Sequence, residues 1–343
     1  MDAHVKFLVF ADLHVDIMHD AVARVQVILE AAKAHNVDFL LHLGDIMYPD
    51  ADFLREHAAE SLSIRQERAW FVCDRDDEKK AIRRMMEDSG IPIYGVLGNH
   101  DMDSCSKKTA CAYFGMPGPY YFFDQGGVRF IVLDTNFIKD GDAYIDFDHC
   151  NYRHYKTRQT TWLPEEQLAF MESTVSASSF PCVLLSHSSL GDTMLNVHNM
   201  TDVHDLIRRL NGKGRKVVLA LNGHSHIDGV CVRAGVPMMD INSASNIWIG
   251  HKYDCVRYSE TISRLYPHMM GCAPYWDALF AIIEMDDASI RVSGRESSYV
   301  GPSPYALGFG REESYHKSTP RIQSRMLPMA AMEDTGDWPG EKA

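Results

Sequence analysis

Short apolar runs alternate with longer amphipathic stretches along most of the chain. Val5 to Ala11, Phe39 to Leu43, Ile91 to Leu97, Val128 to Asp134, Cys182 to Ser186, Val217 to Leu221 and Pro237 to Ile241 are brief, apolar and often β-branched, which predicts buried strands. Several end in Gly, Asp, Asn or His. Ala278 to Glu284 and Ser289 to Ser293 read as late strands. Helical patterns lie between them, over Ala21 to His35, a charged stretch from Phe53 to Ser89, Glu165 to Ser176 and Val203 to Asn211. Alternating strand and helix predicts an α/β fold with stacked layers.

Two stretches stand outside that rhythm. Asp140 to Arg158, with Tyr144, His149, Tyr152, His154 and Tyr155, is a polar and aromatic insertion, as compatible with a plain surface loop as with a cover for an active site. Beyond Pro302 the chain is rich in Gly, Pro, Ser and Met without periodicity. Residues 1–302 are therefore expected to form the domain, and 303–343 a C-terminal tail, loosely structured or wrapping.

The 343 residues are 45% hydrophobic and 24% charged, which excludes disorder as the whole answer and suits one large domain or two modest ones. No segment approaches the roughly 18 consecutive apolar residues of a membrane helix. The N-terminus lacks a basic region followed by a long apolar stretch, so the cytoplasm is the expected location. Eight cysteines are scattered without a C-x-x-C pair, resembling neither a zinc ribbon nor a disulfide framework. A formal net charge of −13 repels polyanions and argues against a nucleic-acid binder. Small anionic substrates stay open, because bound metals reverse the local sign.

The ends of five predicted strands carry Asp12-Leu13-His14, Gly44-Asp45, Gly98-Asn99-His100-Asp101, Ser186-His187 and Gly223-His224-Ser225-His226. Singly each is a weak signal, since such dipeptides arise by chance. In an open α/β sheet, however, loops at the carboxyl ends of strands converge on one edge, so ligands distant in sequence can meet. Carboxylate, imidazole and one carboxamide, with no thiolate, suit manganese, iron, zinc, cobalt or nickel. Seven such groups exceed what one tetrahedral zinc takes and fit two cations sharing a carboxylate.

This ordered set resembles the calcineurin-like metallophosphoesterase superfamily, whose pattern is D-x-H, G-D, G-N-H-[DE], H and G-H-x-H. The resemblance implies a four-layered αββα sandwich of two mixed β-sheets flanked by helices, with a dinuclear metal site at the strand C-terminal ends. It implies that Asp12, His14 and His226 bind a first divalent ion, that Asn99, His187 and His224 bind a second, and that Asp45 bridges both. Two cations about 3.5–4 Å apart can generate hydroxide at neutral pH and stabilise charge on phosphoryl oxygens. His100 would face the substrate, to neutralise a phosphoryl oxygen or protonate the leaving alkoxide. Asp101 would hold that ring and favour its charged form, with a turn cap as its competing role. Glycines 44, 98 and 223 would permit the tight turns from which the ligands project.

The chain also departs from the pattern. Many relatives read G-D-x-x-D, whereas Gly44-Asp45 is followed by Asp50, two residues too late, and Asp50 is not expected to be a ligand. Tyr48 sits where purple acid phosphatases place an iron-binding tyrosinate. Because His14 is retained, Tyr48 is expected beside the metals or facing substrate. A D-R-G continuation is lacking, which disfavours a protein phosphatase. His198, Asn199 and His204 could line the cleft but read more readily as exposed polar positions, and His251, Tyr253 and Tyr258 are candidate pocket residues. His42 is expected to pack within its strand, and Asp134 to hydrogen-bond inside the fold.

Hydrolysis of a small phosphodiester, of the cyclic nucleotide, nucleotide pyrophosphate or glycerophosphodiester type, by a hydroxide bridging two cations is the leading expectation. The alternatives are phosphomonoester hydrolysis and nuclease action. With 47 acidic against 34 basic residues, a nuclease's basic path is confined to Arg208 to Lys216, which also fits a helix end. A non-catalytic interaction module is disfavoured by the intact ligand set. The pattern gives no oligomeric state.

Overall fold

Period-two alternation decides which way each strand faces. In His4–Phe10, Val5, Phe7 and Val9 enter one apolar cluster while Leu8 and Phe10 enter another on the opposite side. The same division recurs in Val128–Val132, where Phe130 and Val132 join the first cluster and Ile131 a third. Such strands are apolar on both faces and must be covered on both, which requires layers.

The computed structural model describes residues 3–57, 75–153, 161–191, 195–214, 216–309 and 319–335. Two six-stranded mixed sheets face each other. In the first, His4–Phe10 runs parallel to Phe39–His42, which runs parallel to Ile93–Gly95; on its other side lie Ala281–Asp286, Ser289–Ser293 and Arg325–Pro328, all antiparallel. In the second, Val128–Val132, Cys182–Ser186, Val217–Asn222 and Val236–Asp240 are parallel, with antiparallel Tyr121–Gln125 and Gly229–Arg233 at the edges. The helices Ala21–Ala34 and Asp76–Glu87 cover the outer face of the first sheet, and Glu165–Ala177 and Met200–Asn211 that of the second. The αββα sandwich expected from the resemblance is the observed fold.

Aromatic rings join the two sheets. Phe7 stacks on Phe39 with centroids 4.9 Å apart, and Phe130 of the opposite sheet meets both edge-on at 5.4 and 5.2 Å. Edge-to-face rings gain quadrupolar attraction beyond the area they bury.

Several elements differ from the expectation. The charged stretch after Phe53 holds two helices, Ala51–His57 and Asp76–Glu87, with 58–74 outside the described residues. Tyr121–Gln125, Gly229–Arg233, the hairpin of Phe137–Asp140 with Ala143–Asp146, and the pair Asn246–Trp248 with Cys272–Pro274 are strands that the apolar runs do not reveal. Residues 154–158 of the insertion also lie outside the described residues.

The C-terminal stretch ties the sheets together where it is described. Arg325–Pro328 extends the first sheet, and Arg325 reaches both carboxylate oxygens of Asp228 at 2.7 Å. Asp334 then accepts Gly235 N at 2.7 Å at the edge of the second. The seven described cysteines are all free, and no described helix is long and apolar enough to cross a membrane.

Phe7→Ala is expected to cost about 3–5 kcal/mol, since it removes a fully buried ring at the junction of the sheets. Denaturant unfolding checks this; a loss under about 1 kcal/mol would contradict the aromatic junction as a stability determinant.

Candidate metal centre

Five loops leave the carboxyl ends of parallel strands and bring the nine predicted site residues to one edge of the sandwich. The first two loops are stitched by Asp12 N to Gly44 O at 2.9 Å and His14 N to Asp45 O at 3.0 Å. Asp12, His14, Asp45, His224 and His226 all adopt positive φ, from 51° to 66°. Left-handed backbone at non-glycine residues costs on the order of 1–3 kcal/mol each and persists only where surroundings impose it. Gly44, with φ of 91°, lies so close to the third loop that a Cβ there would meet Gly98 N at 2.4 Å. A Cβ on Gly98 would meet Asp45 Oδ1 at 2.2 Å.

Two clusters of donor atoms result, Asp12 with His14 and His226, and Asp45 with His187 and His224, each with atoms within 4.8 Å of one another. His14 Nε2 and His226 Nε2 point at one spot, 3.1 Å apart. Asn99 Oδ1 lies 3.2 Å from His187 Nε2, which places it with the second cluster. Asp45 Oδ2 faces both clusters, 3.3 Å from His187 Nε2 and 3.9 Å from His14 Nε2. Its Oδ1 accepts His100 N at 2.7 Å.

The surroundings prepare these atoms for a cation. Nδ1 of His187 is 2.7 Å from Leu43 O, and Nδ1 of His226 is 2.7 Å from Asn246 O. Each bond fixes Nδ1 as the protonated nitrogen and leaves the Nε2 lone pair inward, as metal-binding imidazoles require. Burial, joined by neighbouring imidazoles against the pull of Asp45, lowers His14 and His224 to about 3, so both rings are neutral. Burial would also lower His187, but Asp45 outweighs it and raises the ring to about 9. A cation would displace that proton. Asp12 Oδ1 is fully buried without a hydrogen-bond partner, a costly state for a carboxylate oxygen. An all-N/O donor set with one orphaned carboxylate oxygen fits two divalent ions.

His100 opens the protonic side of the centre. Its Nδ1 is 2.7 Å from Asp103 Oδ2, and Asp103 Oδ1 accepts the Tyr152 hydroxyl at 2.7 Å. Asn99 Nδ2 donates to the same hydroxyl at 3.2 Å, linking a ligand position to the His100 pair. Burial alone would lower the pKa of His100; the charges of Asp103 and Asp45 overcome it and raise it.

Of the two roles expected for Asp101, these contacts favour the turn cap. Its carboxylate accepts four backbone N–H groups, from Asp45 at 3.0 Å, Ile46 at 2.8 Å, Met47 at 3.2 Å and Gly98 at 2.8 Å. Residues 100–102 form a 3-10 turn that brings Asp103 back under His100. Asp101 thus clamps the second and third loops, and Asp103 holds the ring.

The other candidates separate clearly. Tyr48 lines a small cavity with His14, Asp45, His100 and Asp103. The Lys79 ammonium lies 3.5 Å from its ring centroid and pairs with Asp16 at 2.6 Å. Asp50 accepts Asp52 N and Phe53 N, both at 3.1 Å, at the start of helix Ala51–His57. His42 is buried in its strand, and Asp134 pairs with Lys107 at 2.6 Å. His204 Nε2 is 2.6 Å from Leu190 O. His198 is exposed and stacked on Trp162, and His251 is exposed beside Asp254. Asp103 and Trp248 were not singled out by the sequence. Trp248 stands among His14, His100 and His226, with centroids 5.7, 6.4 and 6.4 Å away.

The family model for calcineurin-like phosphoesterases matches residues 5–228. The chain therefore belongs to the calcineurin-like phosphoesterase family, metal-dependent hydrolases acting on phosphoester bonds. Among solved structures it is similar to a dimetal phosphatase from Danio rerio, with 14% identity, 88% of this chain and 100% of that one covered, and a TM-score of 0.57. It is also similar to GAP50, the anchor in the inner membrane complex of Plasmodium, at 11% identity, 97% and 90% coverage and a TM-score of 0.51. PhoD aligns at 12% identity over 99% of this chain and 73% of that one, with a TM-score of 0.51. These likenesses show the shared fold. The search of curated protein sequences finds no match.

Two substitutions separate the acid roles. Asp101→Ala strands four buried N–H groups, at about 1–3 kcal/mol for an unsatisfied donor, and should lower both stability and metal occupancy. Asp103→Asn should keep both. It removes a charge that raises His100, so the protonated ring is lost at lower pH and the alkaline limb of the pH–rate profile moves acidward. An unmoved limb in Asp103→Asn would exclude Asp103 as the partner that sets His100.

Proposed function

We propose that this protein hydrolyses small phosphodiesters at a centre in which Asp12, His14 and His226 hold one divalent cation, Asn99, His187 and His224 hold a second, and Asp45 bridges them. The observation that carries this is Asp45 Oδ2 lying between two otherwise separate donor clusters. When bound, the cation pair supplies an activated water and Lewis-acid stabilisation of phosphoryl charge. The chain's own residues do the rest.

His100 is the proton donor to the departing alkoxide. Its Nδ1 is committed to Asp103, leaving Nε2 as the acidic position, and although burial opposes it, the charges of Asp103 and Asp45 raise its pKa and so favour the protonated ring. Tyr152 locks Asp103 from the other side, so the pair keeps its geometry as charge moves. A donor of this kind matters most for alkoxides, which leave poorly without a proton. That supports an ester whose alcohol leaves poorly and applies to diesters and monoesters alike; the small diester is the reading we adopt.

Nuclease action draws no comparable support. Within the basic stretch, Arg208 pairs with Asp205 at 2.6 Å and Arg209 with Glu172 at 3.4 Å, so neither presents an uncompensated charge to a polyanion. A small phosphorylated substrate in a watery compartment such as the cytoplasm is the reading we adopt. Manganese, iron and zinc all suit the donor set.

Elemental analysis with hydrolysis of bis(p-nitrophenyl) phosphate and p-nitrophenyl phosphate in added manganese tests the proposal. Wild type should carry about two metals per chain and favour the diester. Asp45→Ala should lose metal and activity together, whereas His100→Ala should keep its metal, lose roughly 10²–10⁴-fold in rate on a diester with an alkoxide leaving group, and lose less on either p-nitrophenyl ester, whose phenolate leaves readily without a proton. A wild type that binds no manganese and hydrolyses neither ester would overturn the reading.

A further inference from the structure

Trp248 lies outside the set of proposed ligands, yet its indole is bordered by three site imidazoles. The strand Asn246–Trp248 puts it there. Asn246 O holds Nδ1 of His226, Ile247 is buried in the inter-sheet core, and two residues after Asn246 the indole emerges at the centre, half-buried. Register with Cys272 on the strand Cys272–Pro274 fixes its height. Part of the ring packs on the apolar cluster under helix Ala21–Ala34, so the remaining surface is held rigidly beside the metal centre.

A large apolar ring beside a dication pair is an unusual neighbour for a site whose other groups are charged or strongly polar. Its plane is 26° from that of His100 and 80° from that of His14. It therefore offers a flat wall on the His100 side, where the leaving group departs. Three kinds of substituent could meet that wall. A quaternary ammonium would gain cation–π attraction, but it would sit against the two divalent cations that the centre would hold. An alkyl chain would gain burial without using the orientation of the plane. A neutral planar ring gains burial and offset stacking together.

We propose that Trp248 forms the wall of a substrate subsite for a planar aromatic group, so that the preferred substrates carry a nucleobase or an aryl substituent next to the scissile phosphate. This rests on the phosphoester reading above and narrows it from small diesters in general to nucleotide-like ones.

Calorimetric titration of the manganese-loaded full chain with adenosine 5′-monophosphate and with ribose 5-phosphate tests it without requiring turnover. The two probes share the phosphate and the sugar and differ in the base. Wild type should bind the nucleotide about tenfold or more tightly over the sugar phosphate, the size of one stacked base. Trp248→Ala should bring that ratio close to one by weakening the nucleotide alone, and Trp248→Phe should keep most of it. Equal affinities in wild type, or a Trp248→Ala protein that weakens both probes alike, would overturn the subsite and leave the indole as packing for His100. Wild type that hydrolyses bis(p-nitrophenyl) phosphate but shows no base preference would refute the subsite alone; wild type that takes up no manganese would refute the metal centre and the subsite with it.

Discussion

The carboxylate of Asp45 is the point through which the site holds together. One oxygen faces both donor clusters and the other receives the amide of His100, so the position of the proposed proton donor is referenced to the atom that would bridge the metals. The N–H of Asp45 is in turn held by Asp101, whose carboxylate also holds Gly98 N in the next loop. Two like charges buried side by side repel. Burial first, and then Asp45, push Asp101 upward, while the four N–H donors oppose that push. Cations at the two clusters would relieve the same repulsion from the other side, so ligand occupancy and loop geometry stabilise one another.

Such an arrangement needs a stiff support. The five proposed ligands with positive φ would relax if their strands could slide, and the sandwich prevents this by burying the strands on both faces and joining the sheets through Phe7, Phe39 and Phe130. A second tie comes from outside the sheets. Lys79, on the helix Asp76–Glu87, is fully buried against Asp16 and the Tyr48 ring, and Tyr48 N donates to Asp16 at 3.3 Å. That pair fixes the stretch after His14 to the stretch after Asp45. Removing either partner would leave an uncompensated buried charge.

The candidate ligands stood out because each sits within a few residues of a strand end, where side-chain chemistry and backbone turn are written in the same short motif. The layers were half legible. Continuous apolar runs such as Cys182–Ser186 announce burial on both faces, but nothing in them says which sheet they join, and the second sheet followed only from the resemblance. Edge strands escaped for the opposite reason. Tyr121–Gln125 and Arg325–Pro328 are exposed at alternate positions, and pairing makes them strands more than composition does. Trp248 escaped because it reaches the centre through register with Cys272, a contact between separate stretches of chain that no local pattern encodes.

The exchange of roles between Asp101 and Asp103 shows where sequence distance stops being a guide. Both acids lie close enough to His100 for either to reach its ring. Had residues 100–103 continued as an extended turn, the adjacent acid would have been the natural partner. The 3-10 turn instead stacks residues three apart, so position 103 returns beneath position 100 while position 101 points inward to the loop amides. Asp50, the remaining acid near the second motif, is committed to the first turn of helix Ala51–His57 and to the Tyr113 hydroxyl at 3.2 Å. With Asp50 spent on the fold and Asp101 on the loops, Asp103 is the acid left to orient His100, and Tyr152 from the insertion completes its hydrogen bonding. The insertion that sequence left undecided between cover and surface thus reaches the centre through the Tyr152 hydroxyl, on the side of the proposed proton donor.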